Sequence, residues 1–266
     1  MSVVIKNKYD IEQMRISCRL AAEVLDYIAP FIKAGITTNE IDQLCYEYIV
    51  HVQKAYPSPL NYQPAGHNPY PKSICTSINN EVCHGIPSDK PLKTGDIVNI
   101  DITVFKNGYH GDTSRMFYVG EVSIPAKRLC KITYEAMWIG ILQVKPGNYL
   151  GDIGYEIQKY AENNGYSIVE EFCGHGIGKV FHEEPQVLHY GRPKTGIKLK
   201  SGMIFTIEPM INQGKKYIKF ANNGWTAITK DRSLSAQWEH TILVTDNGYE
   251  VLTVSQGMPN FPDFVK

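Results

Sequence analysis

One segment of the chain recurs. LKTGDIVNID (92–101) matches LKSGMIFTIE (199–208), each a Lys-[Ser/Thr]-Gly turn, an apolar strand and a final acid. Upstream of each copy stands a histidine loop, VCHGIP (82–87) and VFHEEP (180–185), so His84 and His182 occupy equivalent places. Further upstream, IKAGITTNEI (32–41) parallels VKPGNYLGDI (144–153), each a glycine turn between two helical patterns. Chance similarity of short strand–turn segments is the simpler reading, but it leaves the shared order unexplained. Each half therefore reads helix, glycine turn, helix, His loop, turn, and strand ending in an acid.

Apolar spacing supports the helices. Met14, Ile16, Leu20, Ala21, Val24, Leu25 and Ile28 fit a stripe of 3.6-residue period, as do Leu150, Ile153, Ile157 and the Tyr160-Ala161 pair. Strand runs follow each helix pair, so the expected class is α+β. The expected organisation is one domain over 1–266 with pseudo-symmetric halves at about 10–120 and 126–255 and a site where they meet.

Composition excludes several classes. The 266 residues are 43% hydrophobic and 20% charged, enough for a sizeable core. Formal net charge is +0, which offers no electrostatic reason to expect DNA or a membrane surface as partner. The apolar runs are too short to span a bilayer. The start, MSVVIKNKYD, lacks the basic-then-apolar pattern of a signal peptide, and a cytoplasmic location is expected. The six cysteines form no C-x-x-C pair and read as small buried hydrophobes rather than a disulfide framework.

NIDITVFKNGYHGDTSRMF (99–117) then raises a difficulty. Asn107-Gly108 is a type I′ hairpin signal flanked by β-branched and aromatic residues. A two-residue loop there sets Thr103 opposite Asp112 and Asp101 opposite Ser114, all four on one face. The two aspartates become diagonal neighbours, roughly 7–8 Å apart at the backbone. They read either as solvated acids on a wet face or as a converging pair that needs a proton or cation between them.

The second half supplies more acids in apolar settings. Glu208 ends GMIFTIEP (202–209), Glu239 lies in SAQWEHTILVT (235–245), and His175 sits in FCGHGIG (172–178). Carboxylates with one imidazole suit divalent Mn, Fe(II), Co or Zn, and two such ions about 3.5–4 Å apart can lower the pKa of a shared water. A structural zinc site would instead call for cysteines.

HGDTS (110–114), GHGIG (174–178), IEP (207–209), SAQWEHT (235–241) and NEVCHGIP (80–87) together closely resemble the type I methionine aminopeptidases, over nearly the whole chain. The resemblance implies the pita-bread fold, two α+β halves around a dinuclear metal centre. It implies metal ligands Asp101, Asp112, His175, Glu208 and Glu239, with Asp112 and Glu239 bridging two divalent ions. His84, His182 and Glu208 are the implied catalytic residues, the first two contacting substrate. A methionine pocket of Tyr62, Tyr70, Cys75, Phe181 and Trp225 follows, and Asn79 with Ser235 matches a monovalent-cation position. The implied reaction removes the N-terminal methionine from nascent proteins and peptides, preferring a small second residue, by a monomer in transient proximity to the ribosome.

The sequence departs from the common bacterial pattern in two ways: Pro59 stands where a cysteine is usual, and QPAGHNP (63–69) lengthens the loop between two tyrosines; near the monovalent-cation position, Glu81 replaces an apolar residue. His67 in that loop reads as solvated, and His51, His189 and His240 as surface or supporting groups. The rival readings are a prolidase or X-Pro aminopeptidase on the same fold, and a non-catalytic binding protein of that fold.

Overall fold

The computed structural model describes residues 2–265. Helices α1 (Lys8–Ile28) and α2 (Thr38–Glu47) precede one set of strands, and α3 (Ile124–Ile141) and α4 (Leu150–Asn163) precede another. Asn7 caps α1, accepting from the Tyr9 and Asp10 amides while Asp10 accepts from the Asn7 amide. Thr37 and Glu40 do the same for α2.

The α1 stripe differs in detail from the sequence reading. Its buried line runs through Met14, Cys18, Ala21, Leu25 and Ile28, while Ile16 and Leu20 lie half-buried at its margins. Ser17 is fully buried because its hydroxyl reaches the Lys106 and Tyr109 carbonyls, at 3.2 and 3.1 Å. In α4 the expected Leu150, Ile153, Ile157 and Ala161 are all buried.

The hairpin has the expected register. Ile97–Lys106 pairs with Tyr109–Tyr118 so that Lys106 faces Tyr109, Thr103 faces Asp112 and Asp101 faces Ser114. Asn107 and Gly108 carry φ of 53° and 86°, as a type I′ turn requires. Cys75–Ile78 and Tyr56–Pro57 extend this sheet on the far side of the first hairpin strand. One expectation needs correcting: Asp101 sits in mid-strand, not at the strand end, because the hairpin runs on for five more residues to Lys106. Glu208, by contrast, directly follows its strand, Ile204–Ile207.

Ile204–Ile207 is the middle strand of a second, five-stranded sheet, between His240–Val244 and Gly174–Gly176, with Tyr249–Val251 and Glu183–Val187 outermost. Each helix pair covers one sheet. Leu25, Ile28 and Ile41 pack with Val98, Ile100, Ile102 and Val104, and Trp138, Ile153 and Ile157 pack with Phe205, Ile207 and Ile242. Alternation then turns Asp101, between buried Ile100 and Ile102, to the other face. The sheets meet at a bridge between Ser114 and Glu239.

The recurring segments make the same contacts in both halves. The Gly35 amide donates to Leu92 O and the Gly147 amide to Leu199 O, at 2.8 and 3.0 Å. Leu92 N donates to Ile36 O at 2.8 Å and Leu199 N to Asn148 O at 2.7 Å. Gly95 and Gly202 close their turns on Val119 and Val244, both at 2.9 Å.

Candidate metal centre and pocket

Five elements deliver the acids and imidazole to one cavity. Asp101, Asp112, His175, Glu208 and Glu239 all line a concavity of about 510 Å³. Asp112, His175 and Glu239 each present a ligand atom, and those atoms lie within 4.8 Å of one another. His175 Nε2 is 3.6 Å from Asp112 Oδ2 and 3.6 Å from Glu208 Oε1. Its Nδ1–H donates to Gly176 O at 3.0 Å, which leaves the Nε2 lone pair facing the acids.

Neighbouring hydroxyls and amides fix the acids. Thr103 Oγ1 donates to Asp112 Oδ1 and Thr206 Oγ1 to Glu208 Oε1, each at 2.7 Å. Thr206 Oγ1 also accepts the His175 amide, so one hydroxyl orients residues from two strands. Gln237 Nε2 donates to Glu208 Oε2 at 3.3 Å. The Glu208 amide donates to His189 Nε2 at 3.0 Å, which explains a fully buried histidine. Gly111, inside HGDTS, is where α1 crosses the hairpin: a Cβ there would strike the backbone of Ser17 and Cys18.

The electrostatics call for a cation. Burial, then the charges of Asp112 and Glu208, push the Asp101 carboxyl well above the carboxylate range. Burial and the same two neighbours do likewise to Glu239. Burial lifts Glu208 to about 7, against the pull of His175. Burial opposes a proton on His175, but Asp112 and Glu208 outweigh it and raise its pKa. Glu239 Oε1 is buried with no hydrogen-bond partner among the described residues. Carboxylates this close, with one oxygen unpartnered and one imidazole aimed among them, form a donor set that fits hard or borderline divalent ions.

An aromatic wall faces the acids. Tyr62, Tyr70, Cys75, Phe181, Trp225, His84 and His182 line the same cavity. Tyr62 lies 5.0 Å from Phe181 and 5.1 Å from His182 between ring centres, and Tyr70 meets Trp225 edge-on at 5.2 Å. Pro59 and Pro64 also line it. His67 is exposed, as expected, yet its ring lies 5.2 Å from Trp225 and forms part of the rim. His84 adopts a left-handed backbone, φ 55°, rare for a residue with a side chain. Burial lowers it to about 4, so its ring is neutral near pH 7. His182, 4.2 Å from the His175 ring, is likewise held below the ordinary imidazole range, first by desolvation and then by His175, His84 and His110.

Asn79 and Ser235 lie apart from this cavity and touch each other, the Ser235 amide donating to Asn79 O at 2.8 Å. His240 is buried and hydrogen-bonded to Thr253, and His51 is exposed. Sequence reasoning passed over Thr103, Thr206 and His110. His110 stacks on Phe181 at 5.4 Å and shares a 2.8 Å hydrogen bond with Ser58. The register argument, which set Thr103 opposite Asp112, was the available signal for the first of these.

Residues 12–246 match the model of metallopeptidase family M24. The chain belongs to that family. Its relatives include the methionine aminopeptidase of Escherichia coli K12, 57% identical over 96% of this chain and 95% of the relative. The crystal structure of methionine aminopeptidase from Rickettsia prowazekii superposes with a TM-score of 0.92 at 54% identity, covering 95% of this chain and all of that one. The prolidase of Pyrococcus furiosus shares the fold, with a TM-score of 0.75 at 24% identity, but this chain spans only 66% of it. The M24 fold is the pita-bread α+β fold expected from the sequence, and family M24 uses divalent metal.

Proposed function

We propose that this M24 enzyme removes the N-terminal methionine from peptides and nascent proteins, with a preference for a small second residue. The observation that carries the reading is one cavity holding both a cluster of five acid and imidazole groups and a wall of aromatic residues. The sequence identity to curated methionine aminopeptidases favours this over a prolidase, whose likeness is one of fold. Intact acids argue against a non-catalytic binding protein.

Asp101, Asp112, His175, Glu208 and Glu239 would hold two divalent ions. Bound there, such ions would supply Lewis acidity and lower the pKa of a water. The protein's own groups do the rest. Tyr62, Tyr70, Cys75, Phe181 and Trp225 receive the methionine side chain, their rings offering contacts to its sulfur. His84, neutral near pH 7, hydrogen-bonds the substrate close to its α-amine. His182 offers a hydrogen bond to the scissile carbonyl oxygen as charge develops there. Glu208 carries a proton from the attacking water toward the leaving amine. Asn79 and Ser235 serve a monovalent cation through backbone oxygens. The enzyme acts as a cytoplasmic monomer composed of two pseudo-symmetric halves, near the ribosome where its substrates emerge.

The test is turnover of a Met-X-peptide series while Co, Mn, Fe(II) and Zn are supplied in turn. Cleavage of Met-Ala and Met-Gly peptides, with bulky second residues and X-Pro peptides refused, supports the reading. Preference for X-Pro substrates, or no turnover with any ion, overturns it.

A further inference from the structure

We propose that the buried Lys6–Glu183 ion pair is a positioning device for His182, so that a residue outside the cavity controls the hydrogen bond offered to the scissile carbonyl. The inference rests on the aminopeptidase reading above. Lysine is almost never buried unless paired, yet the Lys6 side chain is 4% exposed and that of its partner, Glu183, 13%. Lys6 Nζ donates to Glu183 Oε1, and the Lys6 amide donates to Gly202 O at 2.8 Å. The pair ties the segment before α1 to the residue that follows His182.

Gly178 makes room for the pair. A Cβ at that position would stand 2.5 Å from Lys6 Nζ and 2.8 Å from Glu183 Oε1, so the ion pair sits directly against the last glycine of GHGIG. Gly178 and Glu183 bracket the loop that carries Phe181 and His182. The loop is held at one end by the His110 amide, which donates to Gly178 O at 2.9 Å, and at the other by Lys6. Between those ends, His182 stacks on Phe181 at 4.1 Å and faces His175 at 4.2 Å. Glu183 lines the cavity, whereas Lys6 does not. Burying two charges together yields little net stability, because lost hydration offsets their attraction; such a pair is better suited to fixing a geometry. An apolar pair of similar volume would anchor the loop equally well but would not dictate where its backbone sits.

The experiment is a mutant cycle on the metal-loaded enzyme with a Met-Ala peptide, combining Lys6→Met, Lys6→Arg and Glu183→Gln with His182→Ala. Expected are a drop in kcat of about tenfold or more for Lys6→Met, KM within about threefold, and most of the rate regained in Lys6→Arg. In the His182→Ala background Lys6→Met should cost less than about twofold more, because the group it positions is gone. The doubly neutral Lys6→Met/Glu183→Gln variant should regain thermal stability without regaining kcat. Independent of turnover, the His182 ring resonances of the metal-free protein should broaden in Lys6→Met. Losses that multiply with His182→Ala, a kcat that simply follows the melting temperature, or unaltered His182 resonances would overturn the proposal. If Lys6→Met does not fold, Glu183→Gln carries the same cycle. A wild-type enzyme inactive on Met-Ala peptides would defeat the functional reading, and the His182 resonances would still decide the positioning role.

Discussion

Thr103 Oγ1 donates a 2.7 Å hydrogen bond to Asp112 Oδ1 from the position directly opposite it across the hairpin. The partner strand thereby sets the rotamer of an acid that lies 3.6 Å from His175 Nε2. Replacing Thr103 with Val keeps the shape and removes the donor. Loss of such a supporting hydrogen bond is expected to weaken metal affinity about 10–100-fold. Isothermal titration of metal-stripped protein measures it, and an unchanged affinity would show that Asp112 needs no orienting group.

Glu239→Gln should separate activity from stability. Burial and three neighbouring acids oppose charge on Glu239, and its Oε1 has no partner among the described residues, so the metal-free fold must keep Glu239 protonated, a cost that the neutral amide avoids. The melting temperature of the metal-free variant should rise, while activity on a Met-peptide falls by about a hundredfold or more. A variant less stable than wild type without metal would contradict the electrostatic reading.

Acid should destabilise the protein through its buried imidazoles. Burial lowers His189 and His240 to about 3, against 6.5 for an ordinary histidine. Between those values the unfolded chain binds protons that the folded chain refuses. Their contribution is therefore complete above pH 6.5 and is lost as pH falls toward 3, at up to about 1.4 kcal/mol per pH unit per histidine. Chemical denaturation at pH 7 and pH 5 measures the loss. Ring resonances of His189 and His240 that titrate near pH 6.5 in the folded protein would refute it.

Tyr70→Phe tests how the pocket wall supports the His84 loop. The Tyr70 hydroxyl reaches Gly85 O at 2.9 Å and Ile74 O at 3.1 Å, and Gly85 directly follows His84, whose backbone is left-handed. Removing the hydroxyl should cost about 1–3 kcal/mol, because the Ile74 carbonyl loses its donor and the Gly85 carbonyl keeps only the Thr76 amide, at 2.8 Å. It should also lower kcat by letting His84 relax. A destabilised variant with unchanged kcat would mean that the loop holds its shape without Tyr70.

The hairpin was legible because its turn chemistry and two-residue side-chain period fix the register, and Thr103, Asp112, Asp101 and Ser114 stand where that reasoning set them. The paired glycine turns were legible because matched turn chemistry imposes matched hydrogen bonds, as at Gly35 and Gly147. What local pattern could not supply was the convergence of Glu208, Glu239 and His175 with the hairpin. That depends on how the two sheets meet at Ser114 and Glu239, a contact between residues far apart in sequence. The α1 stripe held, with Ile16 and Leu20 half-buried at its margins, but it omitted Ser17, buried by its hydrogen bonds to the hairpin, which hydrophobicity does not register. His110 escaped notice because its neighbours, Ser58 and Phe181, come from distant loops.

The most direct measurement is a titration of metal-stripped protein with Mn or Co, following bound ions and released protons, for wild type and for Asp112→Asn. Two divalent ions bound per wild-type chain, with protons released from the buried acids and binding lost in Asp112→Asn, is the outcome that the clustered acids require. Absence of binding in the wild type, or equal binding in Asp112→Asn, would show that these five residues do not form a shared metal centre.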